Sequence, residues 1–95
     1  MQAIKDFRDA KTRSIWERRL IKGVPADIAN VALRKLRYLD AAQSLDDLRI
    51  PPANRLEALK GTRKGQHSIR VNDQFRICFV WRDKDAYNVE FVDYH

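Results

Sequence analysis

The sequence predicts an α+β domain, with two N-terminal helices packed on one face of an antiparallel β-sheet. Two observations carry this. Apolar residues recur at helical spacing between Pro25 and Leu39. Then, from Gln66 onward, residues 66–71, 75–81 and 86–94 are rich in β-branched and aromatic side chains at a period of two. Turn-forming residues separate these three segments: Asn72, Asp73 and Gln74, then Asp83, Lys84 and Asp85.

Ninety-five residues suffice for one modest core, so residues 1–95 are expected to form a single domain. With 44% hydrophobic and 34% charged residues the composition is that of a globular protein. No apolar run has membrane-spanning length and no leader pattern is visible, so no membrane role and a cytoplasmic location are expected. One cysteine, Cys78, excludes an internal disulfide. With only His67 and His95 beside it there is no metal-ligand spacing, so no metal or cofactor is expected. Nineteen Lys and Arg against 13 Asp and Glu give a net charge of +6. The pI near 9.8 favours a polyanionic partner, nucleic acid first and an acidic protein next.

Taken in order, residues 2–7 carry Ile4 and Phe7 and read as a short opening strand. Ser14 and Glu17 fit a capping box. Trp16 and Leu20 are four apart, and Gly23 offers a C-terminal cap, so the first helix is expected to run past Trp16 toward Lys22. The second helix begins at Pro25, which suits a first turn, with Asp27 complementing its dipole. Ile28, Ala32, Leu36 and Leu39 form its buried stripe, and Arg34, Lys35 and Arg37 read as a solvated basic back. Ser44 to Leu48 adds a helical turn that Pro51 and Pro52 stop. Residues 56–60 are expected to be extended, and the loop Gly61, Thr62, Arg63, Lys64, Gly65 is either a basic phosphate cradle or a plain hairpin loop.

Register follows from matching apolar positions. A three-residue loop, residues 72–74, sets Ile69 opposite Ile77 and Arg70 opposite Arg76, whereas a two-residue turn would set Ile69 against Arg76. Arginines facing each other across a strand pair are unfavourable unless something anionic shares the site. An odd loop over residues 83–85 would put Tyr94 on the same face, near Arg76, with His95 just beyond the sheet. Two arginines, a phenol and an imidazole then converge on the sheet face away from the helices, which points to phosphate chemistry. His67 falls on the apolar face, and Cys78 reads as a small packed residue.

Cleaving RNA without a metal requires a base for the 2′-hydroxyl, cations for the phosphate and an acid for the leaving 5′-oxygen. Arg76 suits the phosphate because its fork donates in bidentate fashion and stays charged. Arg70, Lys60 and Arg63 widen the cradle, with Lys64 beside them in the same basic loop. Glu57, Asp93, Tyr94 and His95 are the proton-transfer candidates.

The stretches Asn54-Arg55-Leu56-Glu57, Leu59-Lys60-Gly61, Ser68-Ile69-Arg70-Val71-Asn72, Phe75-Arg76-Ile77 and the ending Val92-Asp93-Tyr94-His95 resemble the HigB toxins of type II toxin–antitoxin systems, in the RelE/ParE superfamily. The resemblance covers about the whole chain and is densest after Leu39. It implies a microbial RNase-like fold and cleavage of mRNA on the ribosome, leaving a 2′,3′-cyclic phosphate. It also implies neutralisation by a HigA-like helix-turn-helix antitoxin, through which alone the pair would reach operator DNA. Carried over by position, Arg76 matches the phosphate-binding arginine, Lys60 a basic active-site residue, and Asp93, Tyr94 and His95 the catalytic terminus. The sequence departs from the pattern at Glu57, where some catalytic members carry histidine. It also lacks the C-terminal helix and the following arginine of RelE-type members. The ParE branch poisons gyrase on the same fold, so a non-catalytic gyrase poison or ribosome-binding protein stands as the rival reading.

Overall fold

A computed structural model describes residues 2–93. Two helices, α1 (Ala10–Trp16) and α2 (Ala26–Ala41), precede four strands, β1 (Glu57–Ala58), β2 (His67–Arg70), β3 (Phe75–Arg82) and β4 (Asp85–Asp93). The strands form one antiparallel meander in the order β1-β2-β3-β4. The α+β class holds, with both helices on one sheet face. Ile15 of α1 and Ala32, Leu36 and Leu39 of α2 share a core with Ile69, Ile77, Phe79, Val89 and Phe91 of the sheet. Leu36, Leu39, Ile69, Ile77 and Phe79 are wholly buried. Each such side chain stabilises by about 1.5–3 kcal/mol before ordering costs are counted. No helix is long and apolar enough to cross a membrane.

The β2–β3 register is the expected one, Ile69 opposite Ile77 and Arg70 opposite Arg76. The Asn72 side chain holds the loop by accepting from the N–H groups of Gln74 and Phe75 at 2.9 and 2.8 Å. The β3–β4 connection differs from expectation. Arg82 pairs with Asp85 across a two-residue turn, in which Asp83 takes φ 53°. Between Cys78 and Val80 the register shifts, because β4 has one extra residue there; Asn88 takes φ 52° in that stretch. The bulge restores the parity that an odd loop would have given. Arg76 therefore faces Val92, and Cys78 faces Glu90.

The N-terminal segment is not a regular strand. Ile4 and Phe7 make isolated parallel bridges to Ala86 and Val89 on the outer edge of β4. Asp6 accepts the Asn88 N–H at 2.6 Å and so supports the bulge.

Helix α1 corrects the expected boundaries. Its cap is Asp9, not Ser14: Asp9 Oδ1 accepts from Thr12 N at 2.9 Å and from Thr12 Oγ1 at 2.6 Å. The buried Thr12 hydroxyl also accepts the Phe91 N–H at 2.9 Å, which ties the helix start to β4. The helix stops at Trp16, Arg18 turns left-handed at φ 63°, and Leu20 is 94% exposed.

Helix α2 starts and ends close to expectation, but Lys35 is not on a solvated back. It is buried, and its ammonium donates to Asn54 Oδ1 at 2.7 Å.

Candidate active site

Arg76 sits near the start of β3 on the face away from the helices, and its side chain is only 13% exposed. Its Nε donates to Ser68 Oγ at 2.8 Å, one Nη donates to the Arg55 carbonyl at 2.9 Å, and the same Nη lies 3.1 Å from Glu57 Oε1. Contacts from two strands and a turn thus hold the guanidinium plane. The 1-residue alternation along β2 and β3 brings Ser68, Arg70, Arg76 and Cys78 to this face, with Glu57 joining because it pairs with Ser68.

Arg70 is the cross-strand neighbour of Arg76 and pairs with Asp73 of the adjoining turn. The two cations therefore sit side by side, each with its own carboxylate. Glu57 is half exposed, so an incoming phosphate can compete with it for the Arg76 fork from solvent.

The remaining predicted residues divide. Arg63 turns toward β4, its Nη1 3.2 Å from Glu90 Oε1 and 3.1 Å from Gln66 Oε1, with Arg8 on the far side of Glu90 at 3.8 Å. It is held in the ion pair with Glu90. Lys60 and Lys64 are exposed, flanking the single helical turn Gly61–Arg63. Asp93 ends β4 exposed and accepts from Gln74 Nε2 at 3.1 Å. Tyr94 and His95, both predicted as proton-transfer groups, lie outside the described residues.

Cys78 is buried on the same face, and that burial raises its thiol pKa above the ordinary value; Glu90 adds to this while Arg63 and Arg76 oppose it. A thiol held protonated and covered is a packing residue, not a nucleophile. His67 lies on the helix side, its ring stacked on Phe79 with centroids 6.3 Å apart. Among the described residues no three His, Cys, Asp or Glu side chains are grouped as a metal would require.

Sequence reasoning missed the acceptors that fix Arg76. Ser68 was accessible from parity, being two residues before Arg70 and opposite Cys78. The Arg55 carbonyl was not, since a backbone acceptor in a turn leaves no side-chain signal.

Chemically, the arrangement offers a pinned guanidinium donor with a carboxylate at hydrogen-bonding distance and a second arginine as its cross-strand neighbour. Comparison with known proteins places the chain in a family. Residues 5–95 match the family described as RelE-like toxin of type II toxin–antitoxin system HigB. The chain is 53% identical over 72 residues to Toxin HigB-1 of Vibrio cholerae serotype O1, covering 76% of this chain and 75% of that protein. It is 33% identical over 92 residues to Endoribonuclease HigB of Proteus vulgaris, covering 97% and 99%. The chain belongs to the HigB family of RelE-like toxins of type II toxin–antitoxin systems.

Proposed function

We propose that this toxin is a ribosome-dependent mRNA endonuclease that works without a metal. The observation that carries the reading is the pinned Arg76 with Glu57 at 3.1 Å, on the sheet face opposite the helices. In the proposed step a phosphate of the mRNA backbone takes the Arg76 fork and Glu57 moves to the adjoining 2′-hydroxyl. Glu57 removes that proton, the 2′-oxygen attacks phosphorus, and the P–O5′ bond breaks to leave a 2′,3′-cyclic phosphate. Arg76 and Arg70 stabilise the charge that grows on the phosphoryl oxygens. The leaving 5′-oxygen is protonated from the terminal group Asp93, Tyr94 and His95, with His95 the best-matched acid near neutral pH. Lys60, Lys64 and, less directly, Arg63 hold the RNA backbone on either side. Endoribonuclease HigB, related over nearly the whole chain, supports the nuclease assignment.

The family requires an antitoxin partner; the specific reading is a HigA-like helix-turn-helix protein, with operator DNA bound only through that complex, in the cytoplasm. One observation favours the non-catalytic rival: Glu57 pairs with one Nη of Arg76 and Asp73 pairs with Arg70, so each cation already has a carboxylate partner. Mapping transcript ends just after induction, alongside a gyrase supercoiling assay, separates the two. New 5′ ends within translated codons are expected; intact transcripts with blocked supercoiling would overturn the nuclease.

A further inference from the structure

We propose that Lys35 and Asn54 are positioning residues for Arg76, acting through the backbone carbonyl of Arg55. The inference rests on reading Arg76 as the phosphate-binding group.

Both residues are buried, Lys35 at 5% and Asn54 at 0% exposure. Lys35 Nζ donates to Asn54 Oδ1 at 2.7 Å, and Asn54 Nδ2 donates to the carbonyls of Leu48 and Ile50 at 3.1 and 3.4 Å. Asn54 N also bonds the Pro51 carbonyl at 2.9 Å, so this side chain and its backbone gather the whole turn from residue 48 to 54. The next residue, Arg55, takes a left-handed backbone at φ 45°, ψ 58°, a conformation a non-glycine residue keeps only where its surroundings impose it. Its carbonyl then receives the Arg76 guanidinium at 2.9 Å. A path thus leads from helix α2 through the Lys35–Asn54 hydrogen bond, along the chain from Asn54 to Arg55, and through the Arg55 carbonyl to the candidate catalytic arginine.

Packing alone does not account for Lys35. No carboxylate among the described residues pairs with it; its partners are a neutral amide and the face of Tyr38, 5.6 Å from the ring centroid. Burying an ammonium against neutral partners is costly, and a methionine would fill the same stem volume at lower cost. What the ammonium adds is direction. It fixes which way round the Asn54 amide lies, so that Nδ2 points at the Leu48 and Ile50 carbonyls and the turn closes in one geometry.

The test uses the full chain with labelled arginine. The Arg76 Nε–H resonance, whose partner is Ser68 Oγ, reports the guanidinium position whether or not the protein cleaves RNA. In Lys35→Met we expect a folded protein by circular dichroism, a shifted and broadened Arg76 signal, and RNA cleavage reduced about ten- to a hundredfold in kcat with KM little changed. Lys35→Arg should recover part of both. Val31→Ala, on the same helix, should lower the melting temperature while leaving the Arg76 signal in place. An unmoved Arg76 signal in folded Lys35→Met would overturn the proposal, and so would an equal shift in Val31→Ala. If Lys35→Met does not fold, the same signal in Lys35→Arg and Asn54→Ser decides by the same criterion. Absence of RNA cleavage by the unmodified protein would refute the nuclease reading and leave the resonance measurement intact.

Discussion

Glu57 Oε1 lies 3.1 Å from the Arg76 guanidinium, so the candidate base and the candidate phosphate holder form an ion pair. On the proposed mechanism a phosphate would displace this half-exposed carboxylate from Arg76 and free it to take a proton.

Arg76→Ala should abolish growth inhibition in a protein that still folds. Losing the fork at the scissile phosphate removes on the order of 3 kcal/mol of transition-state stabilisation, roughly a hundredfold or more in rate. Arg76→Lys keeps the charge and loses the bidentate geometry, and should recover only a small part. Full toxicity in either folded variant would exclude Arg76 from the site.

Glu57→Gln tests the base. The amide still accepts a hydrogen bond from Arg76 but cannot take a proton at neutral pH, so binding to the ribosome should persist while cleavage falls about 10²- to 10⁴-fold. Unchanged single-turnover cleavage by Glu57→Gln would assign the base elsewhere.

Salt dependence should separate the cations by their present partners. Lys60→Ala and Lys64→Ala, at exposed positions, should each lower the slope of log affinity against log salt by about 0.7–0.9. Arg63→Ala should lower it less, because Glu90 already neutralises that guanidinium. Equal slopes for all three variants would contradict the assignment.

Stability should respond to Lys35 at alkaline pH. Burial, then Arg34 and Arg70, lower its pKa below 10.5. Between that lowered value and 10.5 the unfolded chain holds more of the proton than the folded one, so unfolding free energy rises with pH through this window. The stability of the unmodified protein relative to Lys35→Met should therefore increase as pH is raised from neutral to 10.5. Urea unfolding of both proteins across that range measures it, and a difference independent of pH would show an unperturbed lysine.

Removing Tyr94 and His95 should cut cleavage by orders of magnitude in a protein that still folds by circular dichroism, because it takes away the proposed proton donors. Full cleavage by the truncated protein would sink the proton-transfer assignment.

The register around Arg76 was legible because apolar matching across the residue 72–74 loop leaves one acceptable pairing. The bulge was not, since it depends on Asn88 turning left-handed under a bond from Asp6, 82 residues away. Ser14 and Glu17 formed a plausible local cap, yet Asp9 prevailed because Thr12 is fastened to Phe91 by a contact no local pattern contains. Lys35 read as solvent-facing because charge at helical spacing usually is. Its acceptor, Asn54, stands 19 residues on in a turn with no periodicity to announce it. At the site, the charged side chains could be named in advance and Ser68 lay within reach of parity, while the Arg55 carbonyl that also holds Arg76 could not.

The strap that residues 3–8 lay along β4 has a consequence for crowding. A bare strand edge templates pairing with other chains, and sheets that persist at high local concentration blunt both sides. Here the outer side of β4 is bonded through Lys5, Arg8, Ala86 and Val89, while the opposite margin of the sheet is β1, two residues long and carrying a carboxylate. Both margins of the sheet thus present little bare backbone on which a strand of another copy could pair.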